Sequence, residues 1–196
     1  MRPGPVDGIV SGMKRNDDRV RLGIVGLGAR AEVLLVSLFG MEEVDIVGLC
    51  DPSDKAVARI RSIFSKRGLP LPRIHGDHHD LLARDDVDAV LVPTSWNSHL
   101  PIAADALAAG KYAAIEVGGA SSTEELWRLV EASERTGVSC MMLENCCYAR
   151  NELLVLNMAR QGVFGEIVHC AGGYEHDLRH YALDLESGYE RSVHNR

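Results

Sequence analysis

The chain lacks any apolar run approaching the roughly 20 residues of a membrane-spanning helix, and its N-terminus lacks the charged-then-apolar layout of a secretory signal. No membrane partner is expected. It also lacks an excess of basic charge: Lys and Arg number 21 against 28 Asp and Glu, for a net charge of -7. With no basic face to neutralise phosphates, nucleic acid is excluded as the expected partner. Its five cysteines include no Cys-x-x-Cys spacing, which argues against a disulfide framework and for reduced thiols in the cytoplasm. Repeats and low-complexity tracts are missing too, which excludes solenoids and linker-like chains.

What is present is ordinary for a folded protein, with 46% hydrophobic and 25% charged residues. A length of 196 residues allows one large domain, or one domain and part of another. Residues 1–18, with Pro3, Pro5 and three glycines, are expected to be a disordered leader.

From residue 19 onward, short apolar runs alternate with stretches of helix formers. Arg19 to Val25 reads as a strand, then Gly26-Leu27-Gly28 as a tight turn, and Ala31 to Phe39 as a helix. Val44 to Cys50 is a second strand, followed by a helix that Gly68 stops. Further strands are expected at Leu71 to Ile74, Asp88 to Val92, Tyr112 to Glu116 and Val138 to Leu143, the last as a buried strand. Helices are expected at His99 to Ala109 and from Ser122, whose spacing to Glu125 suits a capping box, through Arg135. Near-continuous apolar strands alternating with helices predict a doubly wound α/β fold with a parallel sheet covered on both faces. This Rossmann-type domain is expected over residues 19–148. Residues 149–196 would supply a linking helix, Arg150 to Gln161, and the opening of an incomplete α+β domain, whose first strand is expected at Glu166 to Gly172.

The glycine turn has a chemical reading. Gly26 would make the turn, Gly28 would let backbone approach a pyrophosphate, and Ala31 takes the third place of the G-x-G-x-x-A pattern. The following helix points its positive end at the anion. Asp51 ends the second strand about 20 residues past Ala31, where an acid holds the adenosine ribose hydroxyls. A carboxylate there repels a 2′-phosphate, and no arginine follows it, so the expected cofactor is NAD rather than NADP. The bland alternative is a plain strand-to-helix turn with a helix-capping Asp.

Ligands of such sheets sit beyond the carboxyl ends of the strands, where this chain carries Pro93 to His99, Glu116 to Gly119, and Glu144 with Asn145. Each has a structural alternative: Trp96 as a packing lid, His99 as a helix-start residue, Glu116 as a solvated strand end. His75, His78 and His79 cluster on a polar stretch without a second ligand set, so no metal site is expected. His176 and His180 have helical spacing only if that segment is a helix, which Gly172-Gly173 argues against. Cys146 and Cys147 are expected as structural thiols at the end of a buried strand.

The stretches RVRLGIVGLGARAE, DAVLVPTSWNSHLPIAADALAAGKYAAIEVGG and NMARQGVFGEIVHCAGGYEHDLR resemble the Gfo/Idh/MocA family of NAD(P)-dependent sugar enzymes. The last two are similar to the NAD-dependent α-N-acetylgalactosaminidases of glycoside hydrolase family 109. One departure from the wider family stands out: its dehydrogenases end the fifth strand with Glu-Lys-Pro, and this chain has Glu116-Val117-Gly118. The lysine is absent, as in the glycosidase branch. The resemblance implies cofactor contacts from Gly26, Gly28, Ala29 and Arg30 in the glycine turn, and from Asp51. It implies further contacts from Trp96, Asn97, Ser98 and His99, from Glu116 and Val117, and from Asn145. It implies a substrate-side tyrosine, a contact or base, at Tyr174, and a substrate contact at Arg191. The Tyr-Pro-Thr-His segment of the glycosidases is not present.

The implied activity is redox-neutral glycoside hydrolysis by transient oxidation at sugar C3, C2 deprotonation and elimination, outside the two-carboxylate scheme. The implied partner is a small-molecule carbohydrate, and the whole protein would form a homo-oligomer through a C-terminal sheet. Rival readings are a net NAD-dependent sugar or polyol dehydrogenase and a non-catalytic dinucleotide-binding module, which fold alone does not separate. With so few residues after Gly165, the chain is expected to bind cofactor without turning over a glycoside.

Overall fold

The computed structural model describes residues 19–120, 122–173, 175, 177 and 179. Its strands are β1 (Val20–Val25), β2 (Val44–Cys50), β3 (Arg73–His75), β4 (Ala89–Val92), β5 (Tyr112–Ile115) and β6 (Cys140–Met142). Its helices are α1 (Ala29–Leu38), α2 (Asp54–Lys66), α3 (His78–Leu82), α4 (Trp96–Ala108), α5 (Thr123–Thr136) and α6 (Arg150–Arg160), with a 3₁₀ turn at Cys146–Tyr148. The strand order is β3-β2-β1-β4-β5-β6. Chain progression reverses between β1 and β4, the switch point of the doubly wound fold. Among the described residues no helix is long and apolar enough to cross a membrane. The chain divides into two compact units, one up to Leu91 and one from Val92.

In the first unit β1 is the central strand. It pairs in parallel with β2 from Val20↔Val44 to Val25↔Cys50, and with β4 from Leu22↔Ala89 to Ile24↔Leu91. Strands covered on both faces must be apolar along their length, and Ile24, Val25, Leu49, Cys50 and Val90 are accordingly buried. Helix α2 buries Ala56, Ile60 and Phe64, one stripe at four-residue spacing. The Ser53 side chain caps it, accepting from the Ala56 N–H. The Phe64 ring meets Phe39 edge to face with centroids 5.1 Å apart. Helix α3 was not expected from the sequence: Asp77 caps it by accepting from the His79 N–H at 2.9 Å, and Leu81 and Leu82 anchor it in the core. Leu81 lies over Gly23 and Gly48, and a Cβ on Gly48 would fall on Leu81 Cδ1. Glycines in both strands therefore make room for α3. Arg21 fastens the start of β1 to the segment before β4, its Nε donating to Asp88 Oδ2 at 2.9 Å.

In the second unit α4 starts earlier than the sequence suggested. Ser95 is its N-cap, so Trp96, Asn97 and Ser98 form its first turn rather than a loop. It buries Leu100, Ile102, Ala103, Ala106 and Leu107. Helix α5 carries the expected cap, with Ser122 Oγ accepting from the Glu125 N–H at 3.2 Å, and Gly137 ends it. Strand β6 pairs with β5 from Ala113↔Cys140 to Ile115↔Met142, but Met141 and Met142 are exposed. The buried strand expected here is thus a short pairing with open side chains. Cys146 and Cys147 are also exposed, in the 3₁₀ turn rather than at a strand end. The strand expected at 166–172 is absent: those residues are irregular and exposed, Val168 at 89%. Alternation marks a strand only when a neighbour completes its ladder, and among the described residues no segment pairs with this one.

Candidate functional site

In the first unit the site is built from the ends of β1 and β2 and the start of α1. Gly26 has φ 95°, a conformation that side chains disfavour, and its N–H donates to the Cys50 carbonyl at 2.8 Å. The glycine turn is thereby tied to the end of β2. Gly28 is the N-cap of α1, and a Cβ there would meet nothing within 4 Å. Gly28 brings no side chain to cap the first N–H groups of α1, the arrangement that receives a phosphate. Ala29 and Arg30 are the first helical residues, not part of the turn, and Ala31 is buried.

Asp51 follows β2 directly. Its Oδ2 accepts from the Leu27 N–H at 2.7 Å and its Oδ1 from the Ser53 N–H at 2.8 Å. A carboxylate offers about four acceptor positions. Two backbone donors fix the group and leave acceptor capacity on both oxygens, which suits a vicinal diol. The open cradle at Gly28 and the held acid fit a dinucleotide whose ribose carries free hydroxyls.

In the second unit the residues after β4 and β5 converge. The His99 ring is 1% exposed and its Nε2 lies 2.9 Å from the Thr94 carbonyl. A carbonyl only accepts, so Nε2 carries a proton, and in the neutral imidazole Nδ1 is then the acceptor. Among the described residues Nδ1 has no partner. The ring is thus buried, held between the Thr94 carbonyl and Gly119. Gly118 and Gly119 have φ 97° and 99°. A Cβ on Gly118 would fall on the Trp96 indole at Cε2, and one on Gly119 would lie 2.6 Å from His99 Cβ. Trp96 thus roofs one glycine and His99 backs the next.

Glu116 donates its backbone N–H to the Val92 carbonyl at 3.4 Å, and its carboxylate accepts from the Val117 N–H at 3.3 Å. Ser98 is held by Ser95, hydroxyl to hydroxyl at 3.1 Å. Asn145 opens the 3₁₀ turn, its carbonyl accepting from the Tyr148 N–H at 3.1 Å. Asn97 is exposed and lines a cavity of about 490 Å³ between α4 and α5, with Leu100, Pro101, Ala104, Arg128 and Leu129 among its walls. The pairing of Trp96 with Gly118 and of His99 with Gly119 was missed from sequence, although Val-Gly-Gly in place of a bulkier strand end was a signal. Tyr174 and Arg191, and with them His176 and His180, lie outside the described residues.

Asp77, His78 and His79 bring their ligand atoms within 4.8 Å of one another. Asp77 is already engaged, its Oδ1 taking both the N–H and the Nδ1 of His79, and these hydrogen bonds hold its carboxyl below the usual range. His75 is buried, and desolvation with Arg73 and Arg84 nearby pushes its imidazole pKa down.

A family profile described as "Oxidoreductase family, NAD-binding Rossmann fold" matches residues 20–144, and one described as "Glycosyl hydrolase 109, C-terminal domain" matches residues 148–194. The chain is 41% identical over 184 residues to glycosyl hydrolase family 109 protein 2 of Shewanella sp. (strain ANA-3), covering 91% of this chain and 40% of that protein. It is 42% identical over 185 residues to a glycosyl hydrolase family 109 protein of Streptomyces filamentosus, covering 90% and 37%. The chain spans about two fifths of the length of the curated relatives it matches. Its structure is similar to that of the WlbA dehydrogenase from Bordetella pertussis, solved with NADH and UDP-GlcNAcA, with a TM-score of 0.63 at 24% identity over 75% of this chain and 43% of that one.

Proposed function

The chain belongs to the Gfo/Idh/MocA oxidoreductase family with its NAD-binding Rossmann fold, and on that premise we propose that it serves a redox-neutral glycosidase of the family 109 type acting on an N-acetylgalactosaminide. The observation that carries this reading is the succession, within one chain, of the NAD-binding strands and a segment matching the family 109 C-terminal domain. Bound NAD supplies reversible two-electron oxidation of a carbinol. The chain's own residues bind and orient. The open N-terminus of α1 takes the pyrophosphate, and Asp51 takes the ribose hydroxyls and disfavours a 2′-phosphate. Trp96 to Ser98 and Glu116 with Val117, at the ends of β4 and β5, and Asn145, after β6, are proposed contacts toward the nicotinamide half. Val117 stands, as in the glycosidase branch, where the wider family's dehydrogenases carry a lysine, which favours this reading over a net dehydrogenase.

On the substrate side, Tyr174 is proposed as contact or base and Arg191 as a contact. A sugar must be held within roughly 3–3.5 Å of the reacting atoms, which requires walls from a complete second domain. The test compares this chain with one extended by the rest of such a domain, each given NAD and a nitrophenyl N-acetylgalactosaminide. Nitrophenol release by the extended chain without accumulating NADH supports the reading. NADH accumulating in step with oxidation of a free sugar replaces it with a net dehydrogenase, and NAD binding with neither reaction leaves a dinucleotide-binding module.

A further inference from the structure

We propose that His99 is a positioning residue that sets the end of β5 for the cofactor, its bare Nδ1 receiving a backbone N–H of the Gly118-Gly119-Ala120 segment when the dinucleotide binds. The inference rests on the NAD-binding reading above and adds a residue that does its work from behind the site.

The ring touches two segments. Its Nε2–H is spent on the Thr94 carbonyl, in the segment that leads from β4 into α4. Its other edge lies against Gly119, where a Cβ would come within 2.9 Å of Nδ1 itself. One imidazole therefore spaces the segment carrying Trp96, Asn97 and Ser98 from the segment that follows Glu116 and Val117. Nδ1 is buried and without a donor among the described residues. Buried acceptors are nearly always paired, because leaving one bare forfeits the hydrogen bond it had in water. The packing of Gly119 on the ring sets that glycine's own segment, with its N–H groups, beside Nδ1. That segment is also the one able to turn. Gly118 and Gly119 both hold positive φ, and glycine moves between positive and negative φ at little cost. A small rotation of the pair brings an N–H onto Nδ1. The free chain thus holds an unmet acceptor that a closed loop would satisfy, and part of the ligand's binding energy would come from that new bond.

Two substitutions divide the ring's two jobs. His99→Gln can keep an N–H near the position of Nε2 for the Thr94 carbonyl while offering no acceptor at the position of Nδ1. His99→Asn does the reverse. The readouts are thermal unfolding of the free chain, NAD affinity by calorimetry, and the nitrogen NMR signals of the His99 ring in the unsubstituted chain. The expected result is that His99→Gln melts at or above the parent temperature yet binds NAD about tenfold more weakly, while His99→Asn melts lower. In the parent chain the Nδ1 signal moves, on saturation with NAD, from that of a bare acceptor to that of a hydrogen-bonded one. A parent chain that binds NAD with its Nδ1 signal unmoved overturns the proposal even if neither variant folds. So does His99→Gln binding NAD as the parent does. A parent chain that binds no NAD overturns the cofactor reading itself, and this inference with it, so the two failures are told apart.

Discussion

The N–H of Leu27, in the glycine turn, donates to Asp51 Oδ2 over 2.7 Å, so the residue proposed to select the ribose also braces the loop proposed to hold the pyrophosphate. Asp51→Ala removes a cofactor acceptor and the partners of Leu27 and Ser53 together. A hydrogen bond to a charged group is worth about 1.5–3 kcal/mol, and NAD affinity should fall by about that much. Asp51→Asn keeps one acceptor oxygen and should lie between the two. Calorimetric titration of both variants checks the order, and unchanged affinity in Asp51→Ala would remove Asp51 from the site.

Gly118→Ala should disturb Trp96. The new Cβ would fall on the indole and would sit at φ 97°, where side chains are strained. A residue held in such backbone costs about 1–3 kcal/mol. The expected result is a lower melting temperature and a shifted emission from Trp96, read in a Trp127→Phe background because Trp127 is 60% exposed and would otherwise contribute to the signal. Emission and melting both unchanged would mean that Trp96 does not roof Gly118.

Gly48→Ala tests the seat of α3. The added methyl would meet Leu81, which is 0% exposed and has nowhere to retreat. Overpacking of this kind typically costs 1–3 kcal/mol, visible as a lower urea midpoint. In a Leu81→Ala background the same substitution should cost less, since the space is then free. Equal losses in both backgrounds would contradict the contact.

The fold was legible where local rules and tertiary needs agree. Val44 to Cys50 is an apolar run of strand length and folds as β2 with those boundaries, buried from Gly48 onward, and Ser122 and Gly137 bracket α5 as capping chemistry requires. Gly26 and Asp51 could be paired from sequence because the turn and the second strand fix their separation in space. Other features depend on distant partners. His78, His79 and Asp80 give no helical apolar period, and α3 forms because Asp77 caps it and Leu81 finds a pocket over two glycines. The run at 166–172 alternates, but among the described residues it has no neighbouring strand. A histidine in an alanine-rich helix reads the same whether its ring faces solvent or core, so the burial of His99 behind Gly119 was not visible.

The cysteines offer a pH-dependent test. Burial, with Asp51 next in effect, pushes the Cys50 thiol up to about 12 from an ordinary 9.0. A thiol raised in the folded state favours folding at full strength below pH 9.0, and that contribution is lost as pH rises toward about 12. Stability should therefore decline across this alkaline window, and less so in Cys50→Ala. At pH values below it, iodoacetamide should reach the exposed Cys146, Cys147 and Cys170 while sparing Cys50 until the chain unfolds. Labelling of Cys50 in the folded chain at a rate like that of Cys170 would contradict its burial.

Parallel calorimetric titrations of the unsubstituted chain with NAD and NADP test whether the α1 N-terminus and Asp51 together hold NAD. One NAD per chain should bind saturably and NADP more weakly, because the extra phosphate meets the Asp51 carboxylate. NADP binding as tight as NAD, or no saturable binding of either, would contradict that mode of binding.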